Sequence, residues 1–234
     1  MRKLALSDEI LLKVDKAARY IGGEVNSVMK DKNAVDIRFA MCFPDVYEIG
    51  MSNLGMMILY NMFNQREDVW CERLFSPWPD LDKVMREKKI PLFALESQEP
   101  IRDFDFLGIT IGYEMCYTNI LNMLDLSGIP LLAKDRTEED PIVISGGPCV
   151  YNAEPVADFF DVFFIGESEE SICEMADLVK AWKKEGKPGG RKEIIRRMAS
   201  IKGCYVPSLY KVSYYENGLF RSIAPMDETA QFPV

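Results

Sequence analysis

Pro141-Ile-Val-Ile-Ser-Gly-Gly-Pro148 and, shortly after it, Asp161-Val-Phe-Phe-Ile-Gly-Glu-Ser-Glu-Glu170 decide the fold. Each is a short apolar, β-branched or aromatic run that stops at glycine, and the second leads into a helix-like segment. In an open parallel α/β sheet, ligands sit in the crevice beyond the carboxyl ends of the strands, where glycine lets the backbone approach them closely. Two such strand ends in succession predict a binding floor at Gly146, Gly147, Pro148, Gly166 and Glu167.

Outward from that pair, the same alternation recurs. Val35, Ile37, Phe39 and Met41 alternate with polar or small residues and predict a first strand ending at Pro44. Further strands are expected at 69–75 and at Asp105-Phe-Leu-Gly-Ile-Thr-Ile111, the latter apolar on both faces as central parallel strands are. Helices are expected over Ser52–Gln65, Asp80–Lys88 and Thr118–Leu126, the last closed by Gly128 and Pro130, and from a Ser168 cap to Lys184. The result is a flavodoxin-like, Rossmann-like, doubly wound α/β fold with five parallel strands. Asp8–Ile21, after Ser7, reads as one amphipathic helix packed outside this sheet. From Lys187 the character changes to a basic helix and a β-hairpin, Tyr210–Tyr215 and Leu219–Ile223, about Glu216-Asn-Gly218. The expected domains are therefore an N-terminal helical extension, 1–34, a Rossmann domain, 35–186, and a C-terminal extension, 187–234. Because no helix or strand closes the chain after Phe232-Pro-Val234, it reads as a fragment cut at a domain boundary, or else as ending in a disordered tail.

The 234 residues are 48% hydrophobic, enough for a full core, and carry a net charge of −9, which disfavours a nucleic-acid groove or an anionic membrane surface. Arg191-Lys192 and Arg196-Arg197 form the one basic cluster and read as a solvated helix face. No apolar run is long enough to span a bilayer and no signal-peptide core is present, so a cytoplasmic protein is expected. The six cysteines are scattered, without a C-x-x-C or C-x3-C-x2-C pair, and there is no histidine. That pattern supplies neither a zinc knuckle nor an iron–sulfur cradle, and it removes every Ser-His or Cys-His nucleophile pair.

Three polar segments fall at expected strand ends. Phe43–Gly55 brings Asp45, Tyr47, Glu48, Gly50, Ser52 and Asn53, which as a bland alternative form an ordinary β-α turn with a serine cap. Gly112–Asn119 brings Glu114, Thr118 and Asn119, of which the last two can equally cap a helix. Glu96-Ser-Gln-Glu99 reads most simply as a solvated loop.

Taken together, Pro44-Asp-x-Tyr-Glu-Ile-Gly-Met-Ser-Asn-Leu-Gly55, Phe104-Asp-Phe-Leu-Gly108, Tyr113-Glu-Met-Cys-Tyr-Thr-Asn119, Gly146-Gly-Pro148 and Gly166-Glu-Ser-Glu169 resemble the N-terminal, B12-binding-like domain of radical S-adenosylmethionine (SAM) proteins. More narrowly, they resemble the uncharacterised group labelled Fe-S oxidoreductases. The likeness covers residues 35–185. It implies a downstream radical SAM barrel that carries a 4Fe-4S cluster on a C-x3-C-x2-C motif and binds S-adenosylmethionine, neither of which this chain would hold. Cobalamin-binding domains of this kind carry Asp-x-His-x-x-Gly, Ser-x-Leu and Gly-Gly motifs. Here Asp45-x-Tyr47-x-x-Gly50 stands at the first, Thr110-x-Gly112 is nearest the second, and Gly146-Gly147 matches the third. With Tyr47 in the histidine's place, the resemblance implies a corrinoid held without histidine ligation, or a substrate, or a fold that has lost the cofactor. The leading expectation is an accessory domain, inert alone, whose partners are its own downstream radical SAM domain and an unidentified small-molecule or macromolecular substrate. The rivals are a cofactor-free interaction module and, less favoured for want of a Ser/Thr-rich phosphate loop, a flavin-binding flavodoxin-like protein.

Overall fold

A computed structural model describes residues 4–234. The chain opens with two short helices, α1 (Asp8–Leu11) and α2 (Ala18–Ile21). It continues through β1 (Ile37–Phe43), α3 (Tyr47–Gly50), α4 (Leu54–Gln65), β2 (Val69–Phe75), α5 (Pro79–Lys88), β3 (Phe106–Thr110), α6 (Tyr117–Leu126), β4 (Ile142–Gly146), β5 (Val162–Phe164), α7 (Ser171–Lys184) and α8 (Gly190–Met198). It closes with β6 (Cys204–Tyr205) and a hairpin of β7 (Tyr210–Tyr214) and β8 (Phe220–Pro225).

The central sheet runs β2-β1-β3-β4-β5-β6. Its first five strands are parallel, and β6 lies antiparallel to β5 with Phe163 opposite Tyr205 and Phe164 opposite Cys204. The expected five-stranded sheet is therefore six-stranded. A two-residue strand has no periodicity to announce it, and only its neighbour's free edge selects it.

One hydrophobic layer, under α5 and α6, contains Ala40, Cys42, Leu107, Ile109, Val143 and Phe163. The other, under α4, α7 and α8, contains Ile37, Phe39, Met41, Phe106, Ile144 and Phe164. These sets alternate along each strand, as side chains of successive residues point to opposite faces. Gly108 lets the Phe39 ring cross β3: a Cβ there would stand 2.5 Å from that ring.

The N-terminal segment departs from expectation twice. It is not one helix, because the Asp15 backbone N–H is taken by the Asp80 carboxylate at 2.7 Å instead of by a helical carbonyl. Nor does it stand outside the sheet, since Leu6, Ile10, Val14 and Tyr20 are buried in the layer under α5 and α6. Ser7 precedes α1 without a side-chain cap. At α7 the cap position falls to Glu170, and Ser168 contributes only its carbonyl, which accepts from Ile172 N at 2.9 Å.

Two segments expected to be solvated each send a charged residue into the interior, although Lys192 beside Arg191 stays exposed. Arg191 is buried and donates to Asp161 at 2.7 Å. Glu96 is wholly buried, with Oε1 accepting from Arg73 Nε at 2.5 Å and Oε2 from Arg73 N at 2.6 Å. Burial of these charges is tolerable because each finds an opposite charge and hydrogen bonds, a tertiary pairing that local polarity does not reveal.

Glu96 belongs to a seal along β2, the outer strand opposite β6. The carbonyl of Val69 accepts from Lys30 Nζ at 2.6 Å. Cys71 gives its N–H to Asn64 Oδ1 at 3.1 Å and its carbonyl to Asn64 Nδ2 at 2.9 Å. Arg73 gives its N–H to Glu96, and its carbonyl accepts from Leu95 N at 2.8 Å. Three outward-facing positions are thus satisfied without another strand.

Candidate functional site

Parallel strands place every following turn on one edge, so the segments after β1, β3, β4 and β5 all leave the carboxyl side of the sheet. Between the last three lies a crevice of about 400 Å³. Its floor is Thr110, Ser145, Gly146 and Gly147, one wall is Pro148 and Tyr151, another is Gly166, Glu167, Ser168 and Glu169, and α4 contributes Gly55, Ile58 and Leu59.

The floor is held tightly. Ile111 N donates to Gly146 O at 2.8 Å, Cys149 N donates to Ile111 O at 3.2 Å, and Ser145 Oγ donates to Ile109 O at 2.9 Å. Gly147 has φ +107° and lies so close to β3's exit that a Cβ would meet Ile111 O at 2.7 Å. Its glycine is thereby a requirement of the backbone. Gly166 has the same φ, but open space surrounds its missing Cβ.

The residues of the first turn divide. Asn53 caps α4, its Oδ1 accepting from Met56 N at 2.9 Å. Ser52 does not cap, and its hydroxyl donates to Ile49 O at 2.7 Å. Gly50 gives passage to Phe75, whose ring a Cβ would meet at 2.3 Å. Asp45 Oδ1 accepts from Val46 N at 2.7 Å, and its Oδ2 accepts the Tyr113 hydroxyl. Asn119 Nδ2 donates to Pro44 O at 3.0 Å, so Asp45 and Asn119 join the turns after β1 and β3. Neither Thr118 nor Asn119 caps α6. Thr118 and Glu114 are exposed.

Tyr47 and Glu48 turn away to the N-terminal segment. Tyr47 packs edge-on to Phe75 and donates to Glu24 Oε1 at 2.9 Å, instead of to Glu48 or Glu114. Burial and the Glu24 carboxylate push its phenol up to about 12. Glu24 also holds Arg73 Nη2 at 2.7 Å. Burial raises the Glu24 carboxyl, but its own backbone N–H, Arg73 and Tyr47 outweigh that and leave it below its ordinary value. Glu48 accepts from Arg19 and Lys16 at 2.9 and 3.0 Å, and these contacts, Arg19's first, bring it down to about 2.

Hence Gly146, Gly147, Pro148, Gly166 and Glu167 line one crevice, whereas Asp45, Tyr47, Glu48, Gly50, Ser52, Asn53, Glu114, Thr118 and Asn119 do not. Ile58, Leu59 and Tyr151 line it without having been expected. The apolar period of α4 signals the first two only as core, and Tyr151 sits in a turn with no pattern.

A protein ligand to a central metal does not fit. There is no imidazole, the Tyr47 phenol is held by Glu24, and no group of three metal-binding side chains occurs among the described residues.

No helix among the described residues is long and apolar enough to cross a membrane. An uncharacterized protein of Methanocaldococcus jannaschii is 28% identical over 150 residues, which cover 63% of this chain and 28% of that protein, so the chain spans well under a third of this relative's length. No solved structure matches. The family model described as radical SAM proteins, N-terminal, matches residues 55–207, from α4 through β6 and more than half of the chain, and the chain belongs to that family.

Proposed function

We propose that this chain is the accessory domain of a radical SAM protein and that the carboxyl-edge crevice holds a corrinoid without a protein ligand, or the substrate, against a linked radical SAM domain. The 4Fe-4S cluster and S-adenosylmethionine belong, in this reading, to that linked domain. The carrying observation is the crevice itself, floored by Gly146-Gly147 and walled by Gly166–Glu169. The parallel strand order β2-β1-β3-β4-β5 is that of flavodoxin-like sheets, whose ligands occupy this edge. None of the residues lining the crevice is lysine or arginine, and Glu167 and Glu169 are present, which favours an uncharged, amide-rich or cationic ligand over a flavin phosphate.

The group, when bound, would supply methyl-transfer or redox chemistry at cobalt. This chain's part would be to seat it with Gly146, Gly147 and Gly166, and to exclude water with Ile58, Leu59 and Tyr151. The test is anaerobic production of the parent protein with hydroxocobalamin, followed by its visible spectrum and cobalt content. Near-stoichiometric cobalt supports the reading; none taken up refutes the corrinoid. A second reading, a cofactor-free docking module, is favoured by the exposed Leu54, Ile58, Met115 and Tyr151 on this edge.

A further inference from the structure

A second, larger cavity of about 690 Å³ lies at the other end of the sheet, outside the amino ends of β4 and β5. Residues 132–136 and 157–161, the first turns of α8, and the turn 207–209 after β6 enclose it. Leu132, Phe160, Ile195 and Leu209 give it apolar walls.

Its charge is opposite to that of the molecule. Five cationic residues line it, Lys134, Arg136, Arg191, Lys192 and Arg196, against Asp158 and Asp161, in a chain of net charge −9. At its base one carboxylate serves two guanidinium groups: Asp161 Oδ2 accepts from Arg136 Nη1 at 3.0 Å and from Arg191 Nη2 at 2.7 Å. The remaining nitrogens of Arg136 donate to the carbonyls of Pro130, Leu131 and Phe159. Carbonyls orient the charge without cancelling it, and burial accordingly presses the Arg136 guanidinium below its ordinary value. The neighbouring Asp140 is taken by Arg102 and Thr137. On the rim, Lys134 and Lys192 are exposed and form no ion pair among the described residues. Arg196 already holds carboxylates there, Asp227 at 2.9 Å and Glu228 at 3.2 Å from the C-terminal segment.

We infer that this cavity is a binding site for a small organic anion, a carboxylate or phosphate monoester on an apolar body, with Lys134 and Lys192 receiving the head group and Leu132, Phe160, Ile195 and Leu209 the body. The excess of positive charge beside apolar walls selects that combination: a neutral apolar molecule leaves the charge unanswered, and a small inorganic anion leaves the walls wet. The site is independent of the carboxyl-edge crevice, from which β4 and β5 separate it.

The test is calorimetric titration of the chain with 1-naphthyl phosphate, 2-naphthoate and the neutral 2-naphthalenemethanol, with amide NMR shifts to locate each. Saturable binding is expected for at least one anion, and the stronger arm identifies the head group. Binding should weaken about tenfold or more in Lys134→Glu/Lys192→Glu, two exposed positions whose change the far-ultraviolet circular dichroism should not register. The neutral analogue should bind weakly and equally to both proteins. Absence of saturable anion binding, equal binding of the neutral analogue, indifference to the charge reversal, or shifts confined to 146–148 and 166–169 would each overturn the assignment.

Discussion

Replacing Asp161 by alanine removes the acceptor on which three donors converge: Arg136 Nη1, Arg191 Nη2 and the backbone N–H of Val143 at 2.8 Å. Two charge-assisted bonds and one buried amide would be worth roughly 4–9 kcal/mol if they were lost outright and added. They are not lost outright, since Arg136 keeps three carbonyl partners and Arg191 keeps the carbonyls of Asp140 and Pro141 at 2.7 and 2.9 Å. The expected cost is therefore about 3–5 kcal/mol, that of breaking a buried ion pair from one side. For a chain of this size that lowers the melting temperature by roughly 6–20 °C. Urea unfolding followed by circular dichroism should show a lower midpoint at an unchanged slope. Asp158→Ala, at an exposed position without an ion pair among the described residues, serves as control and should cost less than about 0.5 kcal/mol. A loss below about 1 kcal/mol for Asp161→Ala would show that the carbonyls alone hold both guanidinium groups, and the charge accounting of the amino-edge cavity would then be wrong.

Gly108→Ala places a methyl against the Phe39 ring and should destabilise by about 1–3 kcal/mol, with the tyrosine and tryptophan near-ultraviolet signal otherwise retained; a neutral substitution would mean that the ring moves freely. Tyr47→Phe should cost about 1 kcal/mol, the worth of its bond to Glu24, and should leave the spectrum of any bound corrinoid unchanged. A shifted spectrum in that variant would restore Tyr47 as a metal ligand. Glu48 and Glu24 titrate lower in the folded chain than the ordinary 4.5, so their contribution is fully present above that value and is lost as pH falls below it, for Glu48 towards about 2. Since Glu48 binds Arg19 and Lys16, and Arg19 lies over the Trp78 ring, Trp78 fluorescence should change in that window before the sheet unfolds; a single coincident transition would refute this order.

The parallel strands β1, β3 and β4 are legible because Ile37–Phe43, Phe106–Thr110 and Ile142–Gly146 are mainly apolar runs that end at or near proline or glycine, a signal carried within each segment. The glycine turn at Gly146-Gly147 is legible for the same reason. What escapes is decided between segments. Tyr47 finds Glu24, 23 positions earlier, and Arg191 finds Asp161, 30 positions earlier, so neither residue's own neighbourhood distinguishes it from a solvated charge or a site side chain. The N-terminal helix fails likewise: its apolar spacing is real, but Asp80 competes for the Asp15 amide and breaks it. The amino-edge cavity depends on four separate stretches of chain and has no linear motif at all.

The seal along β2 bears on how this domain behaves when crowded. A bare outer strand is a template on which a second copy can stack, and many proteins blunt it by shortening or twisting it. Here a seven-residue strand is kept at full length, and Lys30, Asn64, Glu96 and Leu95 occupy the backbone positions that an intruding chain would need. Protection of this edge thus draws on three polar side chains and one backbone N–H, and Asn64→Leu, which reopens both backbone groups of Cys71, should increase concentration-dependent self-association measured by light scattering, whereas unchanged scattering would refute the seal.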